Sequence, residues 1–178
     1  MALLGSAAQG AELRDVLSGS GPICERILAT LPSWFGVPES VREYVEAADR
    51  SPAVVASVAG EDVGILVLAI HGPYAAEVEV MAVVPDLHRR GIGRSMLAHA
   101  EAALAHAGIE FLQVKTLSAR KPDKGYEKTR AFYFAYGFRP LQELPNLWGP
   151  DNPGLQMIKT VGDPTNSGTL GQRWSLRW

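Results

Sequence analysis

A chain of 178 residues, 47% hydrophobic and 20% charged, has a soluble globular composition and is long enough for one domain with a sizeable core. The formal net charge of -2 argues against a nucleic-acid binder, because neutralising phosphates normally takes a basic excess or a basic face. One cysteine, Cys24, excludes an internal disulfide framework and a thiolate metal cluster.

The start, MALLGSAAQGAELR, has a short apolar run but no basic leader and no long apolar core, so it makes a poor signal peptide. No window approaches the roughly 18 uninterrupted apolar residues of a membrane span, and the expected location is cytoplasmic with no membrane partner. Residues 1–21 carry one short helix-like run, ELRDVL, and otherwise no clear pattern; they are read as an N-terminal extension. From Pro22, the run PICERILATL spaces Ile23, Ile27 and Leu31 four residues apart, one apolar helical face whose proline suits the first turn. After the loop PSWFGVPES, the run VREYVEAAD repeats Val41, Tyr44, Val45 and Ala48 at helical spacing, with Ser40 as its cap. Trp34 and Phe35 in that loop have two readings: aromatics that staple neighbouring helices onto a sheet, or walls of a substrate pocket.

Three strand-like runs follow, AVVASVA, VGILVLAI and AEVEVMAVV. The first two are joined by the turn signal GED and the next two by HGPY, and strands joined this tightly are antiparallel. PDLHRRGIGRSML then leads into a helix-like run, SMLAHAEAALAHA, that stacks Met96, Ala100 and Leu104 and ends at Gly108. Glycines at 91 and 93 let backbone N–H groups approach an anion, and the helix start adds its dipole and unpaired donors, so the turn reads as a phosphate cradle. No Walker A string occurs, and Gly91, Gly93 and Met96 supply only the first two positions of a Rossmann fingerprint. IEFLQVKTL reads as a strand returning parallel to AEVEVMAVV, which completes a crossover. The aromatic-rich helix YEKTRAFYFAYGF and a final hairpin, FRPLQEL and LQMIKTV around PNLWGPDNPG, complete the pattern. The tail, 162–178, is linker-like and ends on Trp174 and Trp178.

Two of these motifs carry a resemblance. His88-Arg89-Arg90-Gly91-Ile92-Gly93 resembles the Q/R-x-x-G-x-G/A loop of the GCN5-related N-acetyltransferase (GNAT) superfamily, with His88 where glutamine or arginine is usual. RAFYFAYGF resembles that family's aromatic-rich helix ending at Gly-Phe, with Tyr133 where a tyrosine is frequent and Tyr126 where an asparagine is common. Over residues 22–161 the resemblance implies the GNAT fold, an α/β domain. Its mixed, mostly antiparallel sheet of about six to seven strands splays between the family's fourth and fifth strands and is flanked by about four helices. It implies acetyl-coenzyme A as co-substrate, its diphosphate held by His88, Arg89, Arg90, Gly91, Ile92, Gly93, Arg94 and Ser95 and its pantetheine by the main chain of Met81, Ala82 and Val83. A homodimer follows from family habit.

Acetyl transfer to an amine needs a held donor, a deprotonated amine, and a proton for the departing thiolate. Tyr133 is the candidate acid, since a thiol near pKa 8.5 and a tyrosine near about 10 are close to matched; its other reading is a core aromatic beside Phe132 and Phe134. Glu77 and Glu79 alternate with Val78 and Val80, so both carboxylates and Met81 share one strand face. Either is a candidate base or a solvated side chain. Gln113 cannot serve as a base, and Glu110 is a further carboxylate on the following strand. Trp34, Phe35, Tyr74 and Trp148 are candidate acceptor contacts for a small-molecule or peptide amine. His71, His88, His99 and His106 form no metal-ligand spacing, so no metal is expected. Two other readings stay open: a non-catalytic acyl-coenzyme A binding or sensing module on the same fold, and an enzyme acting on nucleotide phosphates.

Overall fold

The computed structural model describes residues 10–162; Trp174, Trp178 and nearly all of the expected tail lie outside them. The elements are β1 (Ala11–Val16), α1 (Gly21–Leu28), α2 (Pro38–Arg50), β2 (Ala53–Val58), β3 (Glu61–Ile70), β4 (Ala75–Val83), a 3₁₀ turn (Pro85–Leu87), α3 (Ile92–His106), β5 (Phe111–Leu117), α4 (Lys124–Tyr136), β6 (Arg139–Leu144) and β7 (Gly154–Thr160). The seven strands follow the order β1-β2-β3-β4-β5-β7-β6. This is the mixed, mostly antiparallel sheet with four helices that the resemblance implied. The chain forms two compact units, one from residues up to Leu68 with Val80–Ala100, the other from Ala69–Glu79 with residues from Glu101 onward.

In the first unit, Cys24, Ile27 and Leu28 of α1, Leu31 just beyond it and Ala48 of α2 are buried with Ala53, Val55, Ile65, Val67, Val80 and Ala82 of the strands. The buried stripe of α1 runs through Cys24 and Leu28 as well as Ile27, wider than the i, i+4 spacing showed, and Ile23 is only half-buried. The run ELRDVL is not a helix. All of it but Leu17 lies in β1, paired antiparallel to β2 from Ala11↔Val58 to Val16↔Ala53. Alternation decides this: Glu12 and Arg14 are exposed while Leu13 is half-buried, and the edge of β2 offers a full ladder that an isolated six-residue helix lacks. Arg14 then reaches across to Asp62, with paired contacts of 2.6 and 2.9 Å. That hydrogen bond, more than the charge itself, holds the Asp62 carboxyl below its ordinary range. Ser40 is not the cap of α2 either. The helix opens at Pro38 with Val37 as the capping residue and no side-chain cap bond, because proline presets the first helical φ and needs no donor there.

In the second unit, β4 and β5 pair in parallel from Ala75↔Phe111 to Val78↔Val114. The pairing stops there although both strands continue, β4 to Val83 and β5 to Leu117. β5 pairs along its whole length with β7, and β7 with β6. Leu112, Phe138 and Met157 are fully buried. Asp123 caps α4, its carboxylate accepting from the N–H groups of Gly125 and Tyr126 at 2.8 and 2.9 Å. Gly137 closes α4 at φ 117°, where Gly137 and Phe138 donate to the Tyr133 carbonyl at 3.2 and 3.0 Å.

Candidate functional site

The first site feature grows from the end of β4. Val84 enters the 3₁₀ turn at Pro85–Leu87, and the chain then passes through Arg89 at φ 64° and Gly91 at φ 82° before α3 begins. A left-handed Arg89 is a strained placement for a side-chain-bearing residue, while glycine takes Gly91's place in the turn at no steric cost. α3 starts at Ile92, three residues before the expected run, because Gly91 already provides the first helical acceptor: Ser95 N–H donates to Gly91 O at 3.0 Å. Ahead of that bond, the N–H groups of Ile92, Gly93 and Arg94 precede any intrahelical acceptor and lie at the positive end of the helix dipole. Buried Ile92 anchors the turn, and Arg89, Arg90 and Arg94 are exposed around it. An anion at this place meets directed donors and positive charge together.

His88 has a defined task here. Its Nε2 lies 2.6 Å from Val83 O; the carbonyl only accepts, so Nε2 carries the hydrogen. The ring also meets the Trp34 indole edge-on, with centroids 6.3 Å apart. Trp34 and His88, candidates for different roles, therefore touch. Phe35 packs at right angles to Tyr44, 5.8 Å between centroids, and lines a surface depression with Gly36, Pro38, Val41 and Val45 beside Glu25, Arg42 and Glu46.

The alternation of β4 puts Val80 and Ala82 in the core and therefore Glu77, Glu79, Met81 and Val83 on the opposite face. Glu79, Met81 and Val83 are half-buried there. Glu77 is 7% exposed. Its carboxylate accepts from Lys115 Nζ at 3.0 and 2.9 Å, from Gln113 Nε2 at 2.7 Å and from His71 Nε2 at 2.9 Å. The parallel register explains the meeting, since Gln113 stands opposite Glu77 and Lys115 follows two residues on, on the same face. Sequence reading missed this network; the only signal was the polar alternation of Gln113 and Lys115 around Val114.

Tyr133 is buried between Phe132 and Phe138, edge-to-face at 5.4 and 5.3 Å. Burial raises its phenol above the ordinary tyrosine range. Tyr126 is raised too, by burial first and then by Asp123. Tyr74 is exposed on the β3–β4 turn, and Trp148 is exposed on the β6–β7 loop, where Asn152 holds its backbone. The Cys24 thiol is buried and pushed up to about 12, by desolvation first and then by Asp49 and Glu25. Among the described residues, no group of three or more His, Cys, Asp or Glu side chains is placed to hold a metal ion. Among the same residues, no helix is long and apolar enough to cross a membrane.

Residues 49–140 match the model of the acetyltransferase (GNAT) domain family, more than half of the chain. A Chlorobaculum tepidum protein named as an uncharacterized N-acetyltransferase is 31% identical over 109 residues, covering 60% of this chain and 69% of the relative. Among solved structures, a GNAT family acetyltransferase from Elizabethkingia anophelis with acetyl-CoA bound superposes with a TM-score of 0.67 at 16% identity, over 86% of this chain and 99% of that one. The ribosomal-protein-S18-alanine N-acetyltransferase from Escherichia coli superposes with a TM-score of 0.69 at 16% identity, over 94% and 99%. The two superpositions establish a shared fold, and the family match together with the curated relative establishes kinship. The chain belongs to the GNAT acetyltransferase family.

Proposed function

We propose that the protein is an N-acetyltransferase that carries acetyl from acetyl-coenzyme A to a primary amine by direct attack. The observation that carries this reading is the turn from His88 to Ser95, with left-handed Arg89 and Gly91, helix-start N–H groups and exposed arginines. That donor set fits a diphosphate, which is acidic, multiply charged and bound best by directed N–H groups. Bound acetyl-coenzyme A supplies an acetyl thioester. The main chain of Met81, Ala82 and Val83 serves the pantetheine arm, and one such N–H aimed at a developing oxyanion in a dry site contributes on the order of 3 kcal/mol.

Tyr133 is the proposed proton donor to the thiolate; burial keeps its phenol protonated through the working range. The proton of the amine leaves through the face of β4 that bears Glu77 and Glu79. The acceptor is a small-molecule or peptide amine, contacted by Trp34, Phe35, Tyr74 and Trp148. The Escherichia coli neighbour is named for an alanine of a ribosomal protein, which supports an amine of that kind among the acceptors to be screened.

Calorimetry with acetyl-coenzyme A and with its free thiol form tests the reading. Wild type is expected to bind both, and Gly91→Val to lose at least about tenfold in affinity, because a side chain at φ 82° strains the turn and crowds the donors. Absence of any heat with wild type would overturn the proposal.

A further inference from the structure

The contacts around Glu77 point to a different residue as the proton acceptor. Glu77 Oε2 accepts from Gln113, Lys115 and His71 at 2.7 to 2.9 Å, and Oε1 accepts from Lys115 at 3.0 Å. A proton taken up by Glu77 competes with the Lys115 ammonium, which both oxygens hold, and the side chain is only 9% exposed. Gln113 is itself fixed, accepting at 2.6 Å from Gln156 Nε2. The carboxylate therefore works as an anchor.

What it anchors is His71. Ionised Glu77 only accepts, so His71 Nε2 carries a hydrogen toward it, and in the neutral ring the unprotonated Nδ1 is then the open acceptor. The ring stands on the β3–β4 turn, fixed by His71 N–H donating to Ala75 O at 2.9 Å. Its side chain is 41% exposed, against 9% for that of Glu77, so a docking molecule reaches the imidazole before the carboxylate. Exposed Tyr74 lies on the same turn. The charges facing the ring are Glu77 on β4 and, behind that carboxylate, Lys115 on β5. A cationic ring thus forms beside an ion pair instead of a bare carboxylate.

We propose that His71 Nδ1 removes the proton of the acceptor ammonium, and that Glu77 is a positioning residue that sets the tautomer and orientation of the ring; the inference rests on the acetyltransferase reading above. One ammonium N–H bond breaks and leaves its electron pair on the amine nitrogen, a new N–H bond forms at Nδ1, and the imidazolium returns its proton to solvent. The freed pair on the amine makes the bond to the acyl carbon as the carbonyl pair moves to oxygen; its return breaks the C–S bond, the thiolate takes the Tyr133 proton, and the second proton lost by the nitrogen restores the tyrosine through solvent.

The test compares wild type, His71→Gln and Glu77→Gln. Three readouts are used: calorimetric binding of acetyl-coenzyme A, thiol release with a panel of primary amines from about pH 6 to 10, and ring-nitrogen NMR of the histidines. All three proteins are expected to bind acetyl-coenzyme A alike. His71→Gln should lose about 100-fold in kcat/KM near neutral pH and recover as pH approaches the pKa of the amine itself. Glu77→Gln should shift hydrogen from Nε2 to Nδ1 in the His71 spectrum. Wild-type kcat/KM and an unchanged pH limb in His71→Gln would overturn the assignment and leave the acetyltransferase reading standing. A wild type that binds no acetyl-coenzyme A removes both. If no amine of the panel is acetylated, the spectra decide: hydrogen on Nε2 with a titrating Nδ1 supports the assignment, and hydrogen on Nδ1 refutes it.

Discussion

At Tyr133, one hydroxyl is set in an aromatic cage. Phe132 and Phe138 meet the ring edge-to-face, and burial disfavours the phenolate. A phenol so placed keeps its proton and gives it up less readily than an exposed tyrosine, so the proposed transfer requires a thiolate close by. Tyr133→Phe preserves the ring packing, and we expect kcat to fall about 100-fold with acetyl-coenzyme A affinity unchanged; equal turnover in a thiol-release assay removes Tyr133 from the chemistry. Cys24 gives a second residue-scale prediction. Its thiol is pushed up from its ordinary value to about 12, so the folded state holds that proton more tightly than the unfolded chain. The contribution is intact below about pH 9 and is lost as pH rises toward 12, at up to about 1.4 kcal/mol per pH unit. Tyr126 and Tyr133, raised in the same sense, add to the alkaline loss. Denaturation midpoints measured from pH 8 upward should fall less steeply for Cys24→Ala than for wild type.

At the scale of elements, two glycines end or begin helices for reasons of backbone sterics. Gly91 opens α3 and shapes the turn that leads into it. Gly137 closes α4 at φ 117°, and a Cβ there would stand 3.2 Å from Lys159 Cε. The side-chain end can move, but the left-handed backbone cannot be relieved without undoing the bonds from Gly137 and Phe138 to the Tyr133 carbonyl. Gly137→Ala should therefore cost about 1–2 kcal/mol in chemical denaturation. Because the Tyr133 carbonyl accepts both bonds of this cap, turnover should fall along with stability. A variant of unchanged midpoint would show that the cap is not needed.

For the whole molecule, the placement of β1 matters most. It covers β2, where Ala53, Val54, Val55 and Ala56 have no exposed surface. A chain starting after Val16 leaves that strand as a bare apolar edge and removes the Arg14 contacts to Asp62 and Ser57. We expect the truncated protein to lose several kcal/mol and to aggregate, read by the denaturation midpoint and by light scattering; a monomer of wild-type stability would contradict this.

How much of this was legible beforehand differs from one residue to another. The amino-acid order alone announced the glycine turn, the proline in the first turn of α1, the hairpins and the crossover, because each depends on contacts within a few positions and on backbone preferences that belong to single residues. It also announced the alternation of Glu77 with Glu79 along one strand. It could not announce that ELRDVL would be a strand, since a six-residue run favours helix or strand according to the neighbour it meets. Nor could it show that Glu77 would be held by His71, Gln113 and Lys115, or that His88 would bridge Val83 and Trp34. Those meetings depend on the register of β4 against β5 and on the path of the loop after α1. Long-range pairing is set by the sum of burial over many residues, and no short window of sequence contains that sum.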